Sequence, residues 1–481
     1  MLENLAPKSV FKYFEEISKI PRGSYNEKGI SDYLVQFAKK YSLDYIQDKN
    51  LNVLIKKPAT VGYEHSKGVI LQGHMDMVCE KNNDTNHDFN LDPLNLRVIN
   101  DMIYATNTTL GADNGVAIAY SLAILESTTI PHPPLEVLIT TQEEVGMGGA
   151  INLDNNLLQG DYLINLDSEE EGSLLASCCG GIRSVITLSC NSSCSDANYL
   201  AFNILVNGLK GGHSGMDIIK QRGNSNIIMG RVLSILIHNN IDFYISSING
   251  GSKMNAIPRE STCNILIHNK DILATSKIIS ELDHTFKNEY KNIDEPNILM
   301  CNRDFDRKCF DKDSTYKIVS LLSLIPNGVV TMSPYIQGLP QSSTNLGIVK
   351  TSNGCVNFES AIRSSVLSLK KDIMIKHSIL SKSLNANIQF DGDYPEWEFS
   401  NKSHLQSVLS NVYKDMFNKT PNITAIHAGL ECGILKNKYP HLDMISFGPD
   451  HFDVHSPNEH LSISSTERMW EYLLGILAEL K

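Results

Sequence analysis

Five short segments carry histidines or acids directly after an apolar run, or at the start of one. The segments are Gly73-His74-Met75-Asp76, Leu110-Gly111-Ala112-Asp113-Asn114-Gly115, Gln142-Glu143-Glu144-Val145-Gly146, Asn165-Leu166-Asp167-Ser168 and the stretch 451–460. Imidazole and carboxylate groups suit zinc-like divalent ions, and ligands of open α/β sheets gather where strands end. Together the segments predict a site for two such ions, bridged by one carboxylate, with room for a shared water.

Each segment taken alone also has an ordinary structural interpretation. His74 can be a hydrogen-bonded residue at a strand end, and Asp113 can cap the helix that follows it. Glu143 and Glu144 can belong to a solvated acidic loop. Near the carboxyl end several histidines compete, and spacing does not choose among them: His451, His455 and His460.

The elements that must position these segments alternate between strands and helices in the first third of the chain. Short apolar runs predict buried strands at 51–56, 68–72, 135–141 and 162–166, and helical spacing predicts helices at 10–20, 27–41 and 114–126. The last stretch repeats the style, with helices over 404–418 and 464–480 and a strand over 442–447. This alternation predicts an α/β domain with a mostly parallel sheet.

The middle of the chain has a different pattern, in which strand signals come in adjacent pairs. Paired strands are predicted at 243–249 with 260–268 and at 329–336 with 354–362, and helices at 217–238, 271–289, 314–324 and 366–383. This order predicts an α+β lid domain with two similar halves, inserted into the catalytic domain. We expect the catalytic domain over 1–181 and 396–481, and the lid over 182–395.

Composition argues against several classes of protein. Among 481 residues, 54 acids oppose 42 bases, so a basic nucleic-acid-binding surface over the whole protein is not expected. No apolar run is long enough to cross a membrane, and the first residues do not read as a signal peptide. The ten cysteines are scattered, which favours reduced thiols in the cytoplasm. We therefore expect a cytoplasmic protein without nucleic-acid or membrane partners.

The whole chain resembles the co-catalytic zinc exopeptidases related to aminoacylase and carboxypeptidase G. Within them it is most similar to the aminoacyl-histidine dipeptidase branch, which acts on Xaa-His dipeptides. The resemblance is carried, in matching order and spacing, by Gln72-Gly-His-Met-Asp-Met77, Thr109-Leu-Gly-Ala-Asp-Asn-Gly115, Thr141-Gln-Glu-Glu-Val-Gly146, Asn165-Leu-Asp167, Gly211-Gly-His-Ser-Gly215 and His455-Ser-Pro457.

This resemblance implies a role for each candidate ligand. Two divalent ions are expected, zinc first, with cobalt or manganese as alternatives. One ion would be held by His74 and Asp167 and the other by Glu144 and His455, with Asp113 bridging, Asp76 orienting the first histidine and Glu143 as the general base. The implied reaction is hydrolysis of unblocked dipeptides by a water activated between the two ions.

The same resemblance implies three substrate-binding residues in the inserted domain. His213 would stabilise the oxyanion, Arg363 would bind the substrate's C-terminal carboxylate, and Asn255 would contact the substrate. Their ordinary alternatives are a turn histidine, a surface arginine and a turn asparagine. The insert is long enough to supply these groups within one chain, and a homodimer stays open. Two other functions also stay open: an N-acyl amino acid deacylase or amidohydrolase with the same metal centre, and a non-catalytic metal-binding scaffold.

Overall fold

The structure, a computed structural model, describes residues 2–303 and 307–481. The chain forms two compact units. Unit 1 contains the residues up to Cys178, then Trp397–Ala425 and Leu430–Lys481, and unit 2 contains Cys179–Glu396 with Ile426–Gly429. The sequence placed these divisions after 181 and after 395, and it assigned all of 396–481 to one domain.

The first part of unit 1 alternates strands with helices. Its helices are α1 (Lys8–Ile17), α2 (Lys28–Lys40), α3 (Ala112–Glu126) and α4 (Gly148–Ile151). Its strands are β1 (Asp44–Gln47), β2 (Val53–Lys57), β3 (Val69–His74), β4 (Leu96–Ile99), β5 (Met102–Ala105), β6 (Leu135–Thr140), β7 (Tyr162–Asn165) and β8 (Ser173–Cys178).

The middle of the chain is richer in strands. Its helices are α5 (Ser225–His238), α6 (Ile272–Glu289), α7 (Lys312–Leu324) and α8 (Leu367–Ser383). Its strands are β9 (Gly180–Ser189), β10 (Ser192–Cys194), β11 (Tyr199–Asn207), β12 (Gly212–His213), β13 (Phe243–Gly250), β14 (Ala256–Ile257), β15 (Ser261–His268), β16 (Asn297–Asn302), β17 (Lys308–Phe310), β18 (Gly328–Met332), β19 (Pro340–Ser352), β20 (Cys355–Ser364) and β21 (Asn387–Tyr394).

The last part of the chain returns to unit 1 for most of its length. Its helices are α9 (His404–Phe417), α10 (Glu431–Lys438) and α11 (Ile463–Glu479), and its strands are β22 (Asn422–Ile426), β23 (Asp443–Ser446), β24 (His451–Phe452) and β25 (His460–Ser462). In the described ranges, no helix is both long and apolar enough to cross a membrane.

An eight-stranded sheet with the order β1-β2-β6-β3-β7-β23-β8-β22 forms the centre of unit 1. The four inner strands β6, β3, β7 and β23 are parallel, while β1, β2 and β8 pair antiparallel. All six residues of β3 and of β6 are buried, as expected for strands covered on both faces. The predicted α/β class is confirmed, and antiparallel edge strands are added to the predicted parallel centre.

A nine-stranded antiparallel sheet forms the centre of unit 2, with the path β16-β11-β15-β13-β19-β20-β9-β21 and β18 paired to β19. Its two halves share one topology. The main elements of the first half are, in chain order, β11, α5, β13, β15, α6 and β16. Those of the second half are β9, α7, β19, β20, α8 and β21, and the first half lies between β9 and α7 in the chain. In the sheet, the strand order is β16-β11-β15-β13 in the first half and β21-β9-β20-β19 in the second. In each half, therefore, the last strand of the chain order lies beside the first, and the third and then the second follow.

One predicted helix of unit 2 begins too early. The sequence predicts a helix over 217–238, whereas α5 begins at Ser225, after a short 3-10 turn over Ile218–Lys220. The side chain of Asn224 accepts hydrogen bonds from the amides of Asn226 and Ile227 and so caps the helix at that point.

Candidate metal centre and substrate-binding groups

The candidate ligands of unit 1 meet at the carboxyl ends of three neighbouring parallel strands. His74 is the last residue of β3, Glu144 follows the end of β6, and Asp167 follows the end of β7. Because β6, β3 and β7 are adjacent and parallel, their ends converge at one edge of the sheet. Asp113 joins them from the first turn of α3, and His455 joins from the loop after β24.

The carboxylate of Asp113 lies between the two candidate histidines. Its Oδ1 is 2.9 Å from His74 Nε2, and its Oδ2 is 3.2 Å from His455 Nε2. Asp167 Oδ1 lies 3.4 Å from His74 Nε2, and a carboxylate oxygen of Glu144 lies 3.1 Å from His455 Nε2. One carboxylate therefore faces two imidazoles, each with a further acid, which is the arrangement a bridging ligand needs.

Three overlapping groups of side chains could each hold a metal ion, with all ligand atoms of a group within 4.8 Å of one another. They are His74 with Asp113 and Asp167, Asp113 with Glu144 and His455, and His74 with Glu143 and Glu144. The donor set of imidazoles and carboxylates suits zinc and similar divalent ions. These residues therefore fit a pair of divalent ions that share Asp113.

The ionisation of the cluster reflects acids and imidazoles crowded together. Burial alone would lower the pKa of His74, but the charge of Asp167 and hydrogen bonds with Asp113 and Asp167 raise it well above its ordinary value. Hydrogen bonds with Asp113 and Glu144 raise the pKa of His455 to about 11. Burial raises the pKa of Asp167 to about 6. Both imidazole pKa values are thus raised by the acids placed against the rings.

Asp113 does not act as the helix cap that its position suggested. Gly111 occupies the cap position of α3, and Asp113 has a non-helical backbone, with φ −80° and ψ 103°. Burial would raise the pKa of Asp113, yet hydrogen bonds from His455 and His74 hold it well below its usual range. The side chain is thus directed to the two histidines rather than to the amides of its own helix.

Asp76 is fully buried and connects the first histidine to the loop that carries the two glutamates. Its Oδ1 lies 3.3 Å from His74 Nδ1 and accepts a 3.0 Å hydrogen bond from the amide of Glu143. Its Oδ2 accepts from the hydroxyl of Ser24 at 2.8 Å and from the amide of Glu144 at 3.3 Å. Contacts of this kind fix the ring orientation of a metal-binding histidine.

Glu143 lies beside the cluster, and the pKa of its carboxylate is raised. Burial raises its pKa well above the ordinary value; His74 opposes this shift, while Asp167 and Glu431 add to it. A carboxylate with a raised pKa accepts a proton more readily at neutral pH, which suits a general base.

Helix α3 approaches β3 closely at a glycine. A Cβ built on Gly73 would lie 2.2 Å from Asn114 Oδ1 and 2.5 Å from Ala117 Cβ, so no larger residue fits without a shift. In this close contact the amide oxygen of Asn114 accepts from the backbone N–H of His74, and its amide nitrogen donates to Leu166 O. The start of α3 is thereby fixed to the ends of β3 and β7.

Two buried charged residues that the sequence did not single out hold the loop over 110–113. Glu459 accepts hydrogen bonds from the amides of this loop, at 2.7 Å for Leu110. Arg22 donates to Met75 O at 3.0 Å and to Gly111 O. Glu459 lies inside the histidine-rich segment 451–460, which the sequence identified as a candidate. The sequence around Arg22 contains no pattern that predicts its role.

A third residue that the sequence missed, Glu431, lies beneath the cluster. Its Oε2 accepts from Gln72 Nε2 at 2.6 Å and from Thr140 Oγ1 at 2.7 Å, and Gln72 Oε1 accepts from Asn165 Nδ2 at 2.6 Å. Burial raises the pKa of Glu431 to about 8. The only signal in the sequence is an acid inside the apolar stretch 428–435. This network ties together β3, β6 and β7 just before they deliver the candidate ligands.

The structure distinguishes the three histidines between which spacing could not choose. His455 contacts Asp113 and Glu144, whereas His460 stacks on the ring of Tyr104 and bonds to Asn458 O. His451 is 3% exposed, and burial lowers its pKa to about 4. Of the three, His455 alone belongs to a group of described residues that could hold a metal ion.

Unit 2 brings His213 and Asn255 together. Strand β12 pairs with β14, which places His213 opposite Ala256, and the amide of Ser214 donates to Asn255 O at 2.9 Å. The amide of Met216 donates to His213 Nδ1 at 3.1 Å. The neutral imidazole therefore carries its proton on Nε2, which is the donor needed to bind an oxyanion. Burial and the charge of Arg363 lower the pKa of His213 and favour this neutral form.

Arg363 lies on β20 of the same unit and is 9% exposed. One of its terminal nitrogens donates to the hydroxyl of Tyr394 at 2.9 Å, while its Nε is buried and has no hydrogen-bond partner among the described residues. Nearby, His427 Nε2 lies 2.7 Å from Ser343 Oγ, and burial together with the charge of Arg363 lowers the pKa of His427 to about 4. The guanidinium therefore has donors that its contacts with the described residues do not use.

Comparison with known proteins identifies the family to which the whole chain is similar. Residues 70–479 match the profile of "Peptidase family M20/M25/M40". The chain is 38% identical to the cytosol non-specific dipeptidase of Escherichia coli K12 over 480 residues, which is 100% of this chain and 99% of that protein. The crystal structure of aminoacylhistidine dipeptidase from Vibrio alginolyticus superposes with a TM-score of 0.94 at 36% identity, covering 99% of this chain and 98% of that chain. The aminopeptidase PepT of Bacillus cereus, at 14% identity and a TM-score of 0.58 over 99% of both chains, shares the fold.

Proposed function

The chain belongs to the peptidase family M20/M25/M40, and from that premise we propose that it hydrolyses unblocked dipeptides, Xaa-His among them, with two divalent metal ions. The observation that carries the proposal is the position of Asp113, whose two oxygens face two separate histidines. The names of the relatives that the chain matches over nearly its full length support dipeptides as the substrate class.

We assign the ligands by the groups that lie together. His74 and Asp167 would hold one ion, Glu144 and His455 the other, and Asp113 both. Zinc is the metal that we propose, because two imidazoles among carboxylates match its preferences, and cobalt or manganese could replace it. When bound, the ions would lower the pKa of a bound water molecule and polarise the scissile carbonyl.

The side chains would then divide the remaining work. Glu143 accepts the proton of the attacking water and returns it to the nitrogen of the leaving amino acid. Asp76 keeps Nδ1 of His74 protonated, so that Nε2 of this ring has a free lone pair, and it holds the amides of Glu143 and Glu144 in place.

The substrate-binding residues that we propose belong to unit 2. We propose that Arg363 binds the C-terminal carboxylate of the substrate and that His213 donates a hydrogen bond from Nε2–H to the oxyanion of the tetrahedral intermediate. Asn255, on the loop beside His213, contacts the peptide. The expected partner is thus a small peptide, and we propose that the protein acts in the cytoplasm.

A substrate panel measured together with metal content tests the proposal. The purified protein would be loaded with zinc, cobalt or manganese and given unblocked dipeptides, Xaa-His included, with the matching N-acetyl amino acids. Hydrolysis of free dipeptides with about two bound ions per chain is the expected result. Preference for the acetylated compounds would instead support a deacylase, and metal binding without hydrolysis of any substrate would support a scaffold.

A further inference from the structure

One buried carboxylate receives the amide hydrogens of several consecutive residues next to the metal cluster. Glu459 is 2% exposed. Its Oε2 accepts from the amides of Leu110 at 2.7 Å and Gly111 at 3.0 Å. Its Oε1 accepts from the amide of Ala112 at 2.8 Å, with the amide of Asp113 at 3.5 Å. Hydrogen bonds to a charged acceptor are stronger than neutral ones, so this loop is held firmly.

This carboxylate links two loops that each bring a proposed ligand. Glu459 lies four residues after His455, and the amides that it binds lead directly into Asp113. Asp113 and His455 belong to the same group of potential ligands, with Glu144 as its third member. By contrast, His74 and Asp167 are placed by the ends of β3 and β7, and no hydrogen bond described for Glu459 involves either of them.

The backbone of the loop is adapted to this contact. Gly111 has a φ of +67°, which side chains other than glycine rarely adopt, and a Cβ there would lie 2.6 Å from Arg22 Nη2. Arg22 donates to the carbonyl of Gly111 while Glu459 accepts from its amide. The peptide groups on either side of Gly111 are therefore held by buried charges of opposite sign.

We infer that Glu459 is a positioning residue that preforms the site of one metal ion, the ion held by Asp113, Glu144 and His455. It does so by fixing the loop of Asp113 to the loop of His455. The other ion depends on it less, because only Asp113 is common to both ligand sets. The inference rests on the proposed two-ion site and adds to it a residue that supports the binding of one ion more than that of the other.

The variant Glu459→Gln tests the inference through metal binding. One oxygen of the carboxylate becomes an NH2 group, which donates and cannot accept. The backbone amides that this oxygen binds, either those of 110–111 or those of 112–113, would then lose their acceptor. The dissociation constant of one ion should rise about 10–100-fold, while that of the other changes less than about threefold. Asn458→Ala is the matched control, because Asn458 is the exposed neighbour in the same loop and should leave both constants unchanged.

Titration of the metal-free proteins with cobalt or zinc against a chromophoric chelator gives both constants without an activity assay. Loss of a single ion in Glu459→Gln supports the inference. Equal weakening of both ions, or unchanged binding of both, would overturn it. If the wild-type protein itself binds fewer than two ions, the proposed function fails instead, so the two failures are distinguishable.

Amide hydrogen exchange of the wild-type protein provides a test that does not depend on the variant folding. Because their acceptor is Glu459 rather than metal, the amides of 110–112 should exchange slowly in the metal-free protein as well as in the loaded one. Rapid exchange that slows only when metal is added would show that the ions order the loop, which would contradict the inference.

Discussion

Replacing Asp76 by asparagine changes one oxygen of a fully buried side chain into an amide nitrogen. In the native protein this carboxylate accepts from the amides of Glu143 and Glu144 and from the hydroxyl of Ser24, and it lies beside His74 Nδ1. The asparagine retains one acceptor, which we expect to remain on the side of Glu143 and His74. Its nitrogen then faces Ser24 and the backbone amide of Glu144. The hydroxyl of Ser24 can rotate and accept a hydrogen bond from this nitrogen, whereas the backbone N–H of Glu144 is a donor and loses its acceptor.

The cost follows from that single orphaned donor. A buried N–H that loses its acceptor costs about 1–3 kcal/mol. Since Glu144 is a proposed ligand and His74 loses its neighbouring charge, much of this cost should fall on metal binding, in line with the 10–100-fold that such supporting contacts are typically worth, about 1.4–2.7 kcal/mol. We therefore expect Asp76→Asn to fold, to bind at least one ion about 10–100-fold more weakly, and to lose turnover at limiting metal.

The assay is metal titration of the variant beside kcat and KM measured at saturating and limiting zinc. Asp443→Asn is the matched control. Asp443 accepts from a hydroxyl, Ser403 Oγ at 2.6 Å, and from an amide, Leu405 N at 2.9 Å, as Asp76 does. It lies at the opposite end of the sheet, where β23 begins beside Tyr162. The control should lower the melting temperature without changing metal affinity; normal affinity in Asp76→Asn would refute the reasoning.

Three further predictions concern other groups. Glu143→Gln should lower kcat about 10²–10⁴-fold with both ions retained, and a variant with wild-type kcat would exclude Glu143 as the base. Arg363→Lys should raise KM for free dipeptides about 10-fold or more because the ammonium cannot form the paired contact of a guanidinium; an unchanged KM would place the carboxylate elsewhere. His377 is fully buried, and burial lowers its pKa to about 4, so the unfolded chain takes up its proton first as the pH falls. The contribution of the neutral His377 to the free energy of unfolding is therefore fully present above about pH 6.5. It is lost as the pH falls to about 4, and the loss amounts to about 3 kcal/mol. In chemical denaturation, the advantage of the wild type over His377→Asn should shrink across that range, and a constant difference would contradict the assignment.

The elements around the metal cluster could be predicted because their signals are strong and local. A strand predicted at 68–72 is found at Val69–His74, and a helix predicted at 114–126 is found at Ala112–Glu126. Continuous apolar runs admit few alternatives when they are covered on both faces. The α/β class and the family were predicted correctly for this reason and because the motifs follow these elements in a specific order.

Other elements could not be predicted because neighbours, not their own residues, determine them. Strand β19 begins Pro-Gln-Ser-Ser-Thr-Asn, a polar stretch typical of a loop, yet Ser342, Ser343, Thr344 and Asn345 are all buried. They form a strand because β20 pairs with β19 along its length. A single sequence carries no record of such long-range pairing.

The supporting residues of the candidate site were missed for a related reason. Arg22, Glu431 and Glu459 contact segments that are distant in the chain. The residues next to them in the sequence do not indicate which segments they contact. Glu459, for example, binds amides almost 350 residues away in the sequence. Sequence patterns identify groups that do chemistry by their type and spacing, whereas the groups that hold them are recognised only once the fold brings the partners together.

The order of segments in unit 1 has a consequence for how the protein is made. Strand β23 completes the parallel centre beside β7, and His455 completes the candidate ligand cluster, but both follow unit 2 in the chain. Synthesis proceeds from the amino end, so unit 2 is available to fold while unit 1 still lacks its last parallel strand. A growing chain on the ribosome therefore carries His74, Asp113, Glu144 and Asp167 long before it can assemble the whole site. On the proposed ligand assignment, we expect hydrolytic activity only after translation has passed His455, when the catalytic unit is complete.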